Sequence, residues 1–177
     1  VNILQPGPGV GGHCIAVDPW FIVHGAPKHT PLIRTAREVN DGKVDHVIAQ
    51  ATALIEANPG KKIGLLGLAF KANIDDFRES PAKKVAAELA HKFGNRVRVV
   101  EPYAAALPKE FEGSGAELTD IDSALLDCAI LIPLVDHDAF KAIPLAERNS
   151  KLVYDTRGIW PDQPALARNS IPLPLVG

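Results

Sequence analysis

Between Pro31 and Ala57 apolar residues recur at Leu32, Ile33, Ala36, Val39, Val44, Val47, Ile48, Ala51, Leu54 and Ile55. Steps of three and four residues mark one buried face of a helix. Thr30 followed by Pro31 reads as an N-cap with proline at the first helical position, and Asn58-Pro59-Gly60 ends the run. A helix of about 27 residues spans roughly 40 Å. That is longer than a small domain needs, so the helix is expected to bridge two domains or to pair with a copy of itself. Gly42 is its weak point.

Beyond Gly60 the rhythm changes to short apolar runs alternating with helical stretches, and a domain boundary is expected there. Lys62 to Leu68, Arg96 to Val100, Cys128 to Val135 and Leu152 to Asp155 read as four strands. Ser80-Pro81 opens a helix that runs to Phe93 and stops at Gly94-Asn95, and a weaker helix covers Asp120 to Leu126. Strands separated by helices predict an α/β fold, a Rossmann-like parallel sheet with helices on both faces. Ligands of such sheets sit at the carboxyl ends of the strands. The polar residues just past those ends are Lys71, Asp75, Asp76, Arg78, Asp136, His137, Asp155 and Arg157. The expected units are residues 1–58, residues 59–162 and a tail, 163–177.

Composition narrows the class. The chain has 177 residues, 46% hydrophobic and 23% charged, enough apolar surface for a real core. A net charge of −2 gives no nucleic-acid or anionic-membrane footprint. No apolar run approaches a membrane span, and no signal peptide is visible. Two distant cysteines, Cys14 and Cys128, fit neither a disulfide framework nor a metal pattern, which points to a reducing cytoplasm and no metal. The chain begins at Val1 and contains no methionine, so it is expected to be a piece of a longer protein.

The chemistry concentrates in Gln5 to Phe21, QPGPGVGGHCIAVDPWF. Four glycines in six residues (Gly7, Gly9, Gly11, Gly12) allow positive φ and close backbone approach, and their N–H groups suit phosphate or sugar oxygens. Cys14 follows directly. Asp18-Pro19 reads as a helix start, with Asp18 as N-cap, opening a short apolar helix from Trp20 to His24. Three readings are open: a substrate loop presenting a nucleophilic thiol, a bland turn, or a dinucleotide fingerprint Gly7-x-Gly9-x-x-Gly12. The fingerprint belongs after a buried strand and before a long helix. Upstream there is only VNILQP, and Pro19 interrupts any helix downstream.

GVGGHCIAVDP, GLAFKANIDDFRESPA, VDHDAF and YDTRGIW occur in the order found in the UDP-glucose/GDP-mannose dehydrogenase family, which the chain resembles from about Asn2 to Trp160. With PWFIV and LIRTAREVND, the pattern looks most like the branch acting on UDP-N-acetyl-D-mannosamine; UDP-N-acetylglucosamine and UDP-glucose come next. The resemblance implies a four-electron oxidation of a sugar C6 alcohol to a carboxylate, using two NAD in turn. Cys14 matches the family nucleophile, which adds to the intermediate aldehyde so that a second hydride can leave. Asp18 matches a catalytic-site aspartate; capping is the alternative, and both can hold. Gly7, Gly9, Val10 and Gly11 would contact the substrate through their backbone.

The resemblance further implies that Phe70 and Lys71 line the UDP site and that Arg157 binds substrate. The alternatives are a solvated charge at Lys71 and an Arg157–Asp155 salt bridge. Arg78 matches an arginine that contacts NAD held by another domain. His13 reads better as solvent-facing or substrate-lining than as an activator of the thiol, Asp75 and Asp76 as turn residues, and Cys128 as a buried structural thiol. The family's N-terminal dinucleotide-binding domain is not matched, so the chain alone is expected to oxidise nothing while binding a uridine nucleotide weakly. The long helix matches the family's central helix and predicts a homodimer. Two rivals remain: a non-catalytic nucleotide-binding α/β module, and an NAD(P) dehydrogenase using GPGVGG as its fingerprint.

Overall fold

The computed structural model describes residues 5–163. The expected tail, apart from residue 163, lies outside them. Short helix α1 (Asp18–Gly25) leads into long helix α2 (Pro31–Glu56). Then follow β1 (Ile63–Leu66), α3 (Pro81–Phe93), β2 (Val97–Val100), β3 (Glu117–Thr119), α4 (Ile121–Asp127), β4 (Ile130–Pro133), α5 (Asp138–Lys141), α6 (Leu145–Arg148) and β5 (Leu152–Val153). The strands form one sheet in the order β3-β2-β1-β4-β5, with every pairing parallel. Among the described residues no helix is long and apolar enough to cross a membrane.

Side-chain alternation along the strands divides the core into two layers. Ile63, Leu65, Val97, Val99, Ile130 and Ile132 pack with Val85 and Leu89 of α3 and with Val47, Ala51 and Ile55 of α2. On the opposite face Leu66, Val100, Leu131 and Val153 meet Ala124, Cys128, Phe140, Ile143 and Trp160. The α/β expectation, with helices on both faces, therefore holds.

Helix α3 begins where the sequence places it. The Ser80 side chain accepts from Lys83 N at 3.2 Å, Pro81 follows, and Gly94 ends the helix at φ +60°. Helix α4 starts on Asp120, whose carboxylate takes Ser123 N at 2.7 Å and Ser123 Oγ at 2.9 Å.

Several expectations are corrected. The sheet has five strands; β3 is an edge strand that pairs Glu117–Thr119 with Arg98–Val100, and none of its three residues is fully buried, so it shows no apolar run. The one-turn helices α5 and α6 are too short to show. Predicted strand ends belong to turns: Cys128 caps the end of α4, donating its N–H to Ala124 O at 2.9 Å. The N-cap of α1 is Val17, so Asp18 is its first helical residue and caps nothing. Thr30 does precede α2, but its hydroxyl turns back to Ala26 O at 2.9 Å instead of capping.

Helix α2 runs unbroken through Gly42, but only its second half is buried. Val47, Ala51 and Ile55 are sealed in the core, whereas Leu32 is 80% and Val39 70% exposed. Among the described residues nothing covers Leu32 or Val39, and Arg37 is the buried residue of this half. Ile55→Ala is therefore expected to cost about 2–5 kcal/mol of stability through the cavity it leaves. Leu32→Ala should stay within about 0.5 kcal/mol. Urea unfolding followed by circular dichroism reads both; equal costs would contradict this division of the helix.

Candidate active site

The glycine loop is laid across the carboxyl edge of the sheet and fastened to α2. Val10 N donates to Asn40 Oδ1 at 2.7 Å, and Asn40 Nδ2 returns a bond to Val10 O at 3.2 Å. The two bonds satisfy both polar groups of one loop residue, as a neighbouring strand would. Arg37 reaches Ile15 O at 3.4 Å while paired with Asp41 at 2.5 Å. Asn40 was not singled out from the sequence. An asparagine inside a helix is a poor helix former and invites the question of what its amide holds.

Two glycines are required by geometry. At Gly11 a Cβ would collide with Glu79 O and come within 2.5 Å of Pro81 Cδ, so only hydrogen fits there. Gly12 has φ +97° and lies against the Phe70 ring, with its N–H 3.4 Å from Glu79 O. Gly9 neighbours Pro81, and Gly7 sits against the Arg157 guanidinium. The loop thus touches the turn into α3, the segment after β1 and the segment after β5. The seam between them, lined by Gly9, Phe70, Val135, Asp136 and Arg157, encloses only about 10 Å³. That is no more than one water's worth of space, so a ligand has to lie over the seam rather than within it.

Cys14 stands beyond the seam and is exposed. Its carbonyl accepts from Val17 N at 3.0 Å and Asp18 N at 2.8 Å, winding the chain directly into α1. Asp18, exposed in the first turn of that helix, lies one turn after the thiol residue and places a carboxylate where the helix dipole favours one.

Segment 70–79 carries the other candidates. Phe70 N donates to Asp76 O at 3.3 Å, which closes residues 70–76 into a loop; Asn73 (φ +61°) and Glu79 (φ +45°) hold left-handed backbone without being glycine. Such conformations persist only where surrounding contacts enforce them. Lys71 is exposed on this loop. Arg78 is also exposed, its guanidinium paired with Asp76 through Nη2 at 2.6 Å and Nε at 3.0 Å. Arg78's side-chain hydrogen bonds, with its backbone N–H second, hold the Asp76 carboxyl at about 2 instead of the usual 3.8. The charge of His13 adds slightly to the same effect.

Arg157 is not paired with Asp155. Its Nη2 contacts Asp136 Oδ1 at 2.7 Å, while Asp155 accepts the backbone N–H groups of Arg157, Gly158 and Trp160 at 3.0, 2.8 and 2.9 Å. Asp155 is therefore the cap of its own turn, and Asp136, just past β4, is the counter-ion. The buried Nε of Arg157 has no partner among the described residues.

A larger concavity lies elsewhere. A groove of about 880 Å³ opens at the ends of β2 and β3, with Glu101, Asp120, Asp122 and Glu147 in its lining. No residue singled out from the sequence lines it, and its carboxylates oppose a diphosphate. Size alone does not make it the substrate site.

The two thiols differ sharply. Burial, with Asp127 nearby, pushes Cys128 up to about 11, so it stays protonated and inert. Iodoacetamide on the native chain is expected to label Cys14 and spare Cys128, read by peptide mass spectrometry; labelling of Cys128 first would reverse the assignment. For Asp76 the depressed value means that its stabilising pairing is complete above the ordinary 3.8 and is lost as pH falls through about 2. Arg78→Ala should move the carboxyl-carbon NMR titration of Asp76 back up towards 3.8, and an unchanged midpoint would exclude Arg78 as the cause.

The UDP binding domain of the UDP-glucose/GDP-mannose dehydrogenase family matches residues 64–162, and that family's central domain matches residues 1–42. The chain is 52% identical over 168 residues to a UDP-N-acetyl-D-mannosamine dehydrogenase of Salmonella typhimurium, covering 90% of this chain and 40% of that protein. It is 49% identical over 160 residues to an NDP-N-acetyl-D-galactosaminuronic acid dehydrogenase of Ralstonia solanacearum, covering 90% and 37%. A solved UDP-N-acetyl-mannosamine dehydrogenase from Staphylococcus aureus superposes with a TM-score of 0.65 at 33% identity, over 90% of this chain and 36% of that one. The chain thus spans about two fifths of the length of the curated relatives it matches. With both family domains matched in order along it, the chain belongs to the UDP-glucose/GDP-mannose dehydrogenase family.

Proposed function

We propose that this chain supplies the nucleophile and the nucleotide seat of an NAD-dependent nucleotide-sugar 6-dehydrogenase that turns UDP-N-acetyl-D-mannosamine into its uronic acid. The observation that carries the reading is the joint between the cysteine loop and the carboxyl edge of the sheet. Gly7 rests on Arg157 and Gly12 on Phe70, so the exposed thiol and the cationic edge belong to one rigid surface. The 52% identity to the Salmonella typhimurium enzyme supports this sugar.

Lys71, exposed and free of ion pairs among the described residues, offers its ammonium to the diphosphate, and Arg157 sets a guanidinium nearby, held in place by Asp136. The backbone of Gly7 to Gly11 orients the sugar above the seam. Fit to the dinucleotide is limited to one residue. Arg78, its side chain 68% exposed, can reach a phosphate presented from outside this chain. The domain's own β1 turn does not fit one, because Glu101 occupies the N–H groups of Leu68 and Ala69 and Val135 fills the space at Gly67. That also disfavours a free-standing NAD(P) dehydrogenase built on this chain alone. Two NAD⁺, bound in turn, would each accept one hydride of the oxidation.

Cys14 as thiolate adds to the aldehyde carbon left by the first oxidation, giving a tetrahedral thiohemiacetal whose C–H can leave as the second hydride. The carbon then remains as a thioester on Sγ. Water, oriented by Asp18, cleaves it to the carboxylate and returns the thiol. The unpartnered apolar residues of α1 and α2 (Phe21, Ile22, Leu32, Val39) support self-association as a homodimer.

Assayed in a protein of the relatives' full length, two NADH should form per UDP-N-acetylmannosamine consumed, and Cys14→Ser should abolish acid formation. One NADH per sugar, or undiminished acid from Cys14→Ser, would refute the thioester route. In the isolated chain Lys71→Ala should weaken UDP binding by at least about tenfold, as loss of a charge-assisted contact predicts. Calorimetry reads it, and for a non-catalytic module alkylation of Cys14 would leave the full-length protein fully functional.

A further inference from the structure

Behind the exposed loop 70–76 lies a buried polar chain that none of the steps above uses. Glu101, at the exit of β2, is 3% exposed, and His137, at the exit of β4, is 0% exposed. Glu101 Oε2 accepts from Leu68 N at 2.6 Å, from Ala69 N at 3.3 Å and from His137 Nε2 at 3.3 Å; Oε1 takes Tyr103 N at 3.1 Å. Burial pushes the Glu101 carboxyl up, but the bonds from the His137 ring and the Leu68 N–H outweigh it and hold the group below its usual value. The ring's other nitrogen, Nδ1, accepts from Asn73 N at 2.8 Å. A nitrogen that accepts cannot carry a proton, so the proton sits on Nε2, aimed at Glu101. The ring is wedged between Tyr103 and Phe140, both with centroids 5.2 Å away.

Asn73 is the tip of the loop that Phe70 N closes on Asp76 O. Its backbone is held by His137, and its side chain is held twice by Asp138. Nδ2 donates to Asp138 Oδ2 at 2.8 Å, and Oδ1 accepts from Asp138 N at 3.0 Å. The loop is thus fixed at its neck and at its tip, with Lys71 between the two fixed points and Arg78 just beyond the neck. Together these contacts hold Asn73 at a left-handed φ of +61°, which a residue other than glycine seldom adopts.

We propose that His137 is a positioning residue for nucleotide-sugar binding: locked by Glu101, its neutral ring holds Asn73 and thereby sets Lys71 over the diphosphate. The proposal rests on the reading of Lys71 given above. Its two ends can be separated by substitution. The carboxamide of His137→Asn falls where Nδ1 stands and keeps an acceptor for Asn73. The longer His137→Gln puts its amide near Nε2, keeping the bond to Glu101 and losing Asn73.

Amide hydrogen exchange of residues 70–76 and calorimetry with UDP are measured on the 177-residue chain at neutral pH. His137→Gln is expected to speed exchange at the loop tip and weaken UDP binding by about tenfold each, the loss of one buried hydrogen bond. His137→Asn should stay within about threefold of the parent. Equal losses in the two variants would reduce His137 to a space-filler and overturn the proposal, as would unchanged loop exchange in His137→Gln. Should either variant fail to fold, the 15N shifts of the His137 ring in the parent chain at neutral pH decide. A proton on Nε2 with Nδ1 accepting from Asn73 is expected, and a proton on Nδ1 would overturn the proposal. Exchange needs no ligand, so a parent chain that binds no UDP while its loop responds as expected would refute the nucleotide seat and leave the positioning role standing.

Discussion

The constraint on which the rest depends is the parallel pairing of β1 with β4, Ile63 to Leu66 against Ile130 to Pro133. Both strands are buried on both faces, so nothing but backbone and apolar side chain can occupy them. All polar chemistry is forced to the edge where the strands end. Because the pair is parallel, both ends point the same way and two segments far apart in sequence emerge side by side. One is the loop bearing Lys71 and Arg78; the other is the turn bearing Asp136 and His137. The crossover through α3, β2, β3 and α4 is what makes this adjacency possible.

Onto that edge the chain lays a loop that has no regular structure of its own. Its order is borrowed from Asn40, from the turn at Glu79 and from the Phe70 ring. The glycines serve as places where another group comes too close for a Cβ, more than as hinges. The exposed thiol is therefore presented by a surface whose every support comes from an element packed into the sheet.

Helix α3 was legible to the residue because its signals are local: Ser80 and Pro81 at one end, Gly94 at the other, and a continuous apolar face between. The other four strands were legible from their apolar runs, while β3, with an exposed Glu117 and no fully buried residue, carries no such run to be read. Local signals also misled. Asp18 and Thr30 are residue types that cap helices, yet the chain enters α1 through the turn at Cys14, and Thr30 finds a nearer carbonyl at Ala26. Arg157 was weighed against Asp155, its neighbour in sequence, but parallel pairing brings Asp136 closer. Asn40 with Val10, and His137 with Asn73, are contacts across 30 and 64 residues, which no local pattern encodes. Identity of the candidate groups was readable from motifs; what holds them was not.

One feature of α2 has a mechanical meaning. Its Asn40 grips the cysteine loop, and its next buried apolar residue, Val47, is already part of the sheet's core. The interval between them, residues 41–46, contains Gly42, against which nothing among the described residues packs. That interval acts as a gauge block between thiol and sheet. A single inserted residue there would turn the grip by about 100° and displace it by about 1.5 Å, so the helix stores the distance on which the surface depends even though half of its length touches no core.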